Sequence, residues 1–198
     1  MSQIRLENVR LAFPNLWEAK QVNDQGAAKF SAAFLFPPGH PAEKAVKEAL
    51  SQVAKDKWGE KAAELYKSLK AKDRLALHDG ATKAEYAGYE GNLFVNATNA
   101  LKPLVVDGNK QPLSVQDGKP YSGCYVNAKV EIWAQDNKHG KRINASLMGV
   151  QFVKDGERLA GGSVASEDDF EEIPGAEGSG GDVFGDEGTG GEDDGLFD

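Results

Sequence analysis

The stretch from Cys124 to Gln135, CYVNAKVEIWAQ, decides the fold because it alternates apolar residues with larger polar or aromatic ones along its whole length. Such alternation is typical of a half-buried β-strand, since successive side chains of a strand point to opposite faces. We expect the core to receive Val126, Ala128, Val130 and Ile132. The opposite face carries Tyr125, Asn127, Lys129, Glu131 and Trp133. Two large rings and a lysine on an outward face are unusual for a surface that is only solvated.

A second strand pattern follows after a turn that ends in His139 and Gly140. We expect this strand to run from Arg142 to Val153. Its inward side chains are predicted to be Ile143, Ala145 and Leu147, and its outward ones Arg142, Asn144, Ser146 and Met148. If the two strands pair, their shared outward surface combines aromatic rings, amides and cations.

Further strand patterns lie on both sides of a segment rich in Ala, Glu, Lys and Leu. The predicted strands are Ile4 to Phe13, Lys29 to Pro37, Leu93 to Ala97 and Leu104 to Val106. The first strand places Val9, Leu11 and Phe13 on one face, and we expect Pro14 to end it. A change of face near Asn8 indicates a bulge. The segment 41–73 has helical spacing and predicts two helices separated near Gly59.

This order of elements predicts a mainly β protein, a small antiparallel β-barrel with a helical insertion over about 41–73. The OB-fold, a five-stranded oligonucleotide-binding barrel, fits this inventory of strands. Periodicity alone equally permits another small barrel or a sandwich. We expect residues 1–160 to form this folded domain.

The net charge of −8 conceals a division of the chain into two parts of opposite charge. All 23 Lys and Arg lie between Arg5 and Arg158, so residues 1–160 carry +5 and residues 161–198 carry −13. No apolar run approaches the roughly 18 residues that a membrane-spanning helix needs. The N-terminal sequence lacks the pattern of a signal peptide. With Cys124 as the single cysteine, these features predict a cytoplasmic protein without membrane association.

Residues 161–198 are rich in glycine and acids, which predicts a disordered acidic C-terminal tail. Three apolar islands interrupt it, each with one Phe among carboxylates. A purely solvating tail is one interpretation, and a docking peptide for a basic, apolar pocket of a partner protein is the other. Calcium binding is disfavoured because the glycine-aspartate spacing keeps no register. The docking candidates are Phe170, Asp193, Asp194, Leu196, Phe197 and Asp198.

The outward aromatic and basic residues of the barrel are the type of surface that single-stranded nucleic acid needs. Exposed bases stack on flat rings, and cations follow the phosphates. The candidates on the hairpin are Tyr125, Lys129, Trp133 and Arg142, and those elsewhere are Trp17, Lys20, Tyr86, Tyr89 and Lys102. Tyr86 and Tyr89 flank a glycine in a polar stretch, which favours exposed rings. Alternatively, these rings pack under a loop, under the helical insertion or against a partner subunit.

Catalysis has little support in the sequence. We find no phosphate-binding glycine loop, no GxSxG motif and no cluster with metal-ligand spacing. We therefore predict that the protein holds no cofactor and no metal. We also predict that it is not an enzyme.

Two stretches carry a resemblance to a known family. They are KPLVVDGNKQPLSVQDGKPYSGCYVNAKVEIW, Lys102 to Trp133, and LMGVQFVKDGERLAGG, Leu147 to Gly162. Together they resemble phage-encoded single-stranded-DNA-binding proteins, and the likeness covers most of residues 4–162. The resemblance implies an OB-fold barrel, binding of single-stranded DNA and an acidic C-terminal tail.

The tail has a likeness of its own. The segment DDFEEIP, Asp168 to Pro174, is similar to the acid-rich tip with which bacterial single-stranded-DNA-binding proteins recruit other enzymes, although it is internal here. We therefore expect a protein that coats single strands without strong sequence preference during phage DNA replication or recombination. Its tail would recruit replication or recombination proteins, and homo-oligomers are possible partners as well. The alternative is a protein-interaction or assembly module whose acidic tail solubilises it or imitates nucleic acid.

Overall fold

The computed structural model describes residues 1–22 and 25–159. The elements in chain order are strands β1 (Ser2–Val22) and β2 (Gln25–Phe36), helices α1 (Pro41–Trp58) and α2 (Ala62–Ala71), and strands β3 (Leu77–Asp79), β4 (Leu93–Asn99), β5 (Leu104–Val106), β6 (Tyr125–Asn137) and β7 (Gly140–Lys154). The predicted acidic tail over 161–198, with all its docking candidates, lies outside the described residues.

Five of the strands close into a barrel in the order β4, β2, β1, β6, β7. Neighbours in this order pair antiparallel, and a parallel contact between Ala97 of β4 and Ala145 of β7 closes the circle. The short strands β3 and β5 extend the sheet beside β4 and β7. The predicted mainly β fold, an OB-type barrel with a helical insertion, is confirmed.

The inward faces predicted for the central hairpin form the barrel core. All four inward residues of β6, Val126, Ala128, Val130 and Ile132, have no exposed surface. On β7, Ile143, Ala145 and Leu147 are likewise buried. Apolar burial of this kind is the main stabilising contribution to a folded domain, so the alternation in β6 and β7 determines which side of the hairpin faces outward.

Strand β1 continues through Pro14 to Val22, so the prediction that Pro14 ends it is wrong. The register against β2 shifts between Ala12 and Asn15, and Phe13 has a φ of 46°. Bulges tolerate proline because one residue there is left out of the hydrogen-bonded ladder. The same bulge separates Phe13 from the face that alternation assigns to it together with Val9 and Leu11. Those two residues are buried, whereas Phe13 is 51% exposed.

Two other bulges set which residues reach the core. The bulge predicted near Asn8 is confirmed, because Asn8 has a φ of 50° and the register against β6 shifts between Leu6 and Val9. In β7, Lys129 lies opposite Gly149 while Val130 lies opposite Leu147, so Met148 is an extra residue. The extra residue lets both Leu147 and Val150 point inward.

The insertion consists of α1, a 3₁₀ turn over Gly59–Lys61 and α2, as the helical spacing over 41–73 predicts. Helix α1 begins where the Nδ1 atom of His40 accepts a hydrogen bond from the Ala42 amide at 3.2 Å. Its buried stripe is Ala42, Val46, Ala49, Leu50, Val53 and Ala54, which belong to the same core as the barrel. In the described part of the chain, no helix combines the length and apolar character that a membrane crossing requires.

The last residue of α1 connects the insertion to the end of the β6–β7 hairpin. The indole Nε1 of Trp58 donates a hydrogen bond to Oδ2 of Asp136 at 2.9 Å. Lys141 also pairs with Asp136, and its ammonium lies 5.9 Å from the centre of the Trp58 ring. The hydrogen bonds that Lys141 and Trp58 donate to the Asp136 carboxylate lower the pKa of Asp136 below its usual value. The insertion therefore holds the hairpin at the end that carries Trp133 and Arg142.

Candidate nucleic-acid interface

A groove runs along the outside of the barrel and is lined by residues from strands β1, β2, β3, β4, β6 and β7. It consists of two adjoining cavities of about 520 Å³ and about 420 Å³. The two cavities share Lys83, Asn96 and Thr98, so they form one continuous depression. We call it the barrel groove, the larger cavity its basic half and the smaller cavity its aromatic half.

The basic half brings together four cationic side chains from separate parts of the chain, namely Lys29, Arg74, Lys83 and Arg142. Asp73 is the only acidic residue among the described residues that line it, and its carboxylate is 2.7 Å from Nδ1 of His78. Within residues 1–22 and 25–159, none of the four cations forms an ion pair. The basic half is thus a positively charged surface available to an anionic ligand.

Trp133 and Arg142 both line the basic half, so the structure brings these two sequence candidates together. The Trp133 ring is half-buried, and its Nε1 donates a hydrogen bond to Oγ of Ser146 at 2.9 Å. This bond to the neighbouring strand fixes the ring orientation. A fixed indole beside free cations suits the stacking of a base whose phosphate is held nearby.

A second set of rings, those of His78 and Phe94, lines the same cavity as Trp133. His78 stacks on Phe94 with ring centres 5.0 Å apart, and Nζ of Lys83 lies 5.3 Å from the centre of the Phe94 ring. Lys83 thus stands at the boundary of the two halves, over an aromatic face. An ammonium over a ring face is electrostatically favourable and stays accessible to a phosphate.

The aromatic half contains an exposed pair of rings from distant parts of the chain. Phe13 is 51% exposed and Tyr86 is 44% exposed, and their rings meet edge to face with centres 5.2 Å apart. The pair lies in the same cavity as Asn15, Ser31 and Asn96. Adjoining exposed rings in a cavity form an apolar patch, and such patches often mark binding sites.

Tyr89 also lines the aromatic half, but its side chain is only 1% exposed. The expectation of two exposed rings around Gly88 therefore holds for Tyr86 and is wrong for Tyr89. The Tyr89 ring packs with Ala12, Ala33, Leu35 and Phe94 in a small second core. Burial, together with the neighbouring Tyr86, raises the pKa of Tyr89 to about 12, so its hydroxyl is protonated at neutral pH.

The candidate Lys20 is connected to the groove through the β1–β2 pairing. Lys20 lies directly opposite Lys29, which lines the basic half, and both residues are exposed. Like charges directly opposite on paired strands are destabilising. A bound anion would relieve this repulsion.

Trp17 and Lys102 form a separate pair that does not line the barrel groove. Trp17 is half-buried and packs against the main core. The ammonium of Lys102 lies 5.7 Å from the centre of its ring. Packing with the core accounts for Trp17 without a ligand, whereas Lys102 is exposed.

Tyr125 and Lys129 face outward on β6 as predicted, but they lie outside the barrel groove. Tyr125 has the ammonium of Lys154 at 4.7 Å from its ring centre. Lys129 lines another cleft, of about 340 Å³, with Arg5, Lys110 and the exposed Leu104. We call this cavity the β5 cleft. The structure thus places two of the four hairpin candidates, Trp133 and Arg142, in the barrel groove and the other two outside it.

Several groove residues were missed by reasoning from the sequence, namely Phe13, Lys29, Arg74, His78 and Phe94. Lys29 is the first residue of the predicted strand, although β2 begins earlier, and Arg74 follows the predicted helical segment. The sequence pattern therefore gives neither side chain a direction. Phe13 is exposed only because of its bulge. Lys83 lies three residues before Tyr86 in the sequence, so this local cluster of a cation and rings could have indicated it.

The described residues show no arrangement suited to metal binding or nucleophilic chemistry. In that part of the chain no three His, Cys, Asp or Glu side chains come together as metal ligands. Cys124 is buried, and burial raises the pKa of its thiol to about 11. A thiol with so high a pKa is a poor nucleophile at neutral pH.

Comparison with known families now adds to this geometry. A family model described as "Enterobacter phage Enc34, ssDNA-binding protein" matches residues 2–180. The chain belongs to this family. A relative, protein p50 of Acyrthosiphon pisum secondary endosymbiont phage 1, is 48% identical over 178 residues, which make up 88% of this chain and 96% of the relative.

Solved structures of the Enc34 family share the barrel. The single-stranded DNA-binding protein from bacteriophage Enc34 in complex with ssDNA has a TM-score of 0.67 and 25% identity, over 80% of this chain and 89% of that chain. A second structure of the single-stranded DNA-binding protein from bacteriophage Enc34 has a TM-score of 0.64 and 29% identity, over 84% of this chain and 88% of that chain. The single-stranded DNA-binding protein gp2.5 of bacteriophage T7 has a TM-score of 0.52 and 15% identity, over 85% of this chain and 92% of that chain. At this identity the similarity is one of fold.

Proposed function

We propose that this member of the Enc34 family binds single-stranded DNA in the barrel groove, without strong sequence preference. The observation that carries the proposal is the placement of four cations and several accessible rings along two adjoining cavities. Among the described residues, these cations have no ion-pair partner. The family relationship supports it, because a relative of the same fold was solved in complex with ssDNA.

The cations of the basic half would hold the phosphates. Lys29, Arg74, Lys83 and Arg142 come from different elements and surround a cavity whose lining contains a single carboxylate among the described residues. Binding to them releases counterions from the DNA, so affinity falls as salt rises, with a slope of about −0.7 per phosphate for single strands. Four or five contacts, counting Lys20, predict a slope of about −3.

The rings would hold the bases. Trp133 in the basic half and the Phe13–Tyr86 pair in the aromatic half present faces or edges toward the cavity residues. Stacking contributes roughly 1–3 kcal/mol per base, and every base has a π-face. A site that relies on stacking and phosphate contacts therefore binds many sequences with similar affinity.

The family relationship and the composition of residues 161–198 support a proposed biological role. We propose that the protein coats transient single strands during phage DNA replication or recombination in the host cytoplasm. The acid-rich residues 161–198, with their isolated Phe residues, are proposed to recruit replication or recombination proteins that carry a basic, apolar pocket.

Titration of a fluorescently labelled dT oligomer with the full chain, at low and moderate salt, tests the proposed binding. We expect saturable binding that weakens with salt and exceeds binding to a duplex of equal length. Four single charge removals, Lys29→Ala, Arg74→Ala, Lys83→Ala and Arg142→Ala, should each reduce the salt slope. No association with dT even in dilute buffer would refute the proposal.

A second candidate function is favoured by exposed apolar side chains near the β5 cleft. Leu101 is 75% exposed and Leu104 is 64% exposed. A protein-interaction or self-assembly module would use such a surface. Analytical ultracentrifugation over a wide concentration range separates the two functions, since self-association depends on protein concentration and DNA binding on added oligonucleotide.

A further inference from the structure

The hydroxyl of Tyr89 is a buried polar group without a hydrogen-bond partner among the described residues. Most buried polar atoms in folded proteins are paired, because an unpaired one loses its hydration without compensation. A hydroxyl that the described part of the chain leaves unpaired therefore costs the fold some stability unless a ligand pairs with it.

The surroundings of Tyr89 indicate how this hydroxyl gains a partner. Tyr89 lines the aromatic half, where Phe13 and Tyr86 stand 6.0 Å from its ring centre. Both neighbours are exposed, and Phe13 has a positive φ of 46°, which residues other than glycine seldom adopt. Strained backbone and unpaired buried groups both concentrate at ligand sites.

We propose that the aromatic half is a subsite for one nucleobase, which stacks on one of the two exposed rings, Phe13 or Tyr86. When these rings shift to uncover it, the buried Tyr89 hydroxyl donates a hydrogen bond to the base. The inference rests on the proposed function of the barrel groove and adds a specific contact to it. The ligand class is an unpaired base that carries a carbonyl oxygen, as thymine does at O2 and O4.

The polar side chains of the aromatic half fit this ligand. Nδ2 of Asn15 donates to Oγ of Ser31 at 3.0 Å, so Asn15 keeps its amide oxygen for a base N–H. Asn96 is exposed in the same cavity. Lys83 lies 5.9 Å from the Tyr89 ring centre and also lines the basic half, so it can hold the adjoining phosphate.

The Tyr89→Phe variant tests the contact because it removes only the hydroxyl. Since this hydroxyl has no hydrogen-bond partner within residues 1–22 and 25–159, we expect the melting temperature to be unchanged or raised. Binding to a dT oligomer should weaken about three- to tenfold, the value of one hydrogen bond. Fluorescence anisotropy and thermal unfolding of the full chain measure the two effects.

Tyr66→Phe is the matched control, because Tyr66 is a half-buried tyrosine of α2 that does not line the barrel groove. This variant should bind dT as the wild type does. An oligomer of abasic sites, which has phosphates and sugars but no bases, distinguishes the part of the DNA that Tyr89 contacts. We expect it to bind the wild type and Tyr89→Phe equally.

The remaining outcomes overturn the inference in separate ways. Unchanged dT affinity of Tyr89→Phe shows that the hydroxyl makes no contact with DNA. Equal weakening for dT and abasic oligomers assigns the contact to the backbone. A marked fall in melting temperature shows a structural partner in the free protein. If the wild type itself does not bind dT, the proposed function fails, and a subsite within that function fails with it.

Discussion

The two ends of strand β6 carry the same kinds of outward side chain but meet different neighbours. At one end, Trp133 faces a groove lined by cations from β2, β7 and two loops. At the other end, Lys129 faces the β5 cleft, beside the exposed Leu104. The two residues are four positions apart, about 13 Å along an extended strand. Strand alternation thus determines that a side chain faces outward, while the packed neighbours determine what surface it joins.

Loss of an aromatic ring should produce the largest difference in DNA affinity between the two ends of β6. Trp133→Ala is expected to weaken dT binding by roughly 5- to 150-fold, the value of one stacked base. Tyr125→Ala, at the end outside the groove, should change affinity by less than about threefold. Anisotropy titrations measure both, and circular dichroism checks that each variant is folded. Comparable losses from both variants would show that the DNA path extends along the whole of β6.

Removal of a positive charge should give a smaller difference between the two surfaces, again with the larger effect in the barrel groove. Arg142→Ala removes a phosphate contact in the groove, so the slope of log affinity against log salt should become shallower by about 0.7. Lys129→Ala should leave the slope unchanged. A series of dT titrations at increasing salt provides the slopes. If Lys129→Ala reduces the slope as much as Arg142→Ala does, the β5 cleft also binds phosphate.

The Lys20–Lys29 pair should show opposite effects on stability and binding. Lys20→Ala removes a like charge that lies directly opposite Lys29, so the free protein should gain a few tenths of a kcal/mol in unfolding free energy. The same variant should bind dT about two- to fivefold more weakly, because one favourable phosphate interaction is lost. Chemical denaturation and anisotropy measure the two quantities. Loss of both stability and affinity would contradict this account of the pair.

The smallest expected effect concerns the insertion that holds the groove end of β6. Hydrogen bonds from Lys141 and Trp58 lower the pKa of Asp136. A lowered carboxyl pKa stabilises the fold above the unfolded pKa of about 3.9, and this stability is lost as pH falls through the folded value. The melting temperature of the wild type should therefore exceed that of Asp136→Asn at pH 7, and the difference should vanish in acid. A difference that is independent of pH would show that the charge of Asp136 is not responsible.

Much of the barrel could be predicted from the sequence, because alternation in β6 and β7 directly reflects burial. The insertion was equally clear, since the apolar stripe of α1 has helical spacing. The site was predictable only in part. The exposure of Phe13 depends on a bulge that is defined by the register against β2. Arg74 reaches the groove because its carbonyl accepts a hydrogen bond from the Ile143 amide at 3.0 Å, a contact between residues far apart in the chain.

Tyr89 shows the same limit of prediction from sequence, because a ring that was expected to be exposed is buried. Its polar, glycine-containing neighbourhood is typical of an exposed loop, yet its ring packs against Ala12 and Ala33 from the barrel. Local composition describes the loop, whereas burial of the ring depends on small side chains that β1 and β2 place opposite it.

The most direct test of the central claim is to map where DNA lies by ultraviolet cross-linking of the full chain to a dT oligomer, followed by mass spectrometry of the peptides. Cross-links are expected at Trp133, Phe13 and Tyr86, which line the barrel groove. Tyr125 and Trp58, which lie outside it, provide internal controls. Cross-links concentrated at Tyr125, with none at Trp133 or Phe13, would contradict the assignment of single-stranded DNA to the barrel groove.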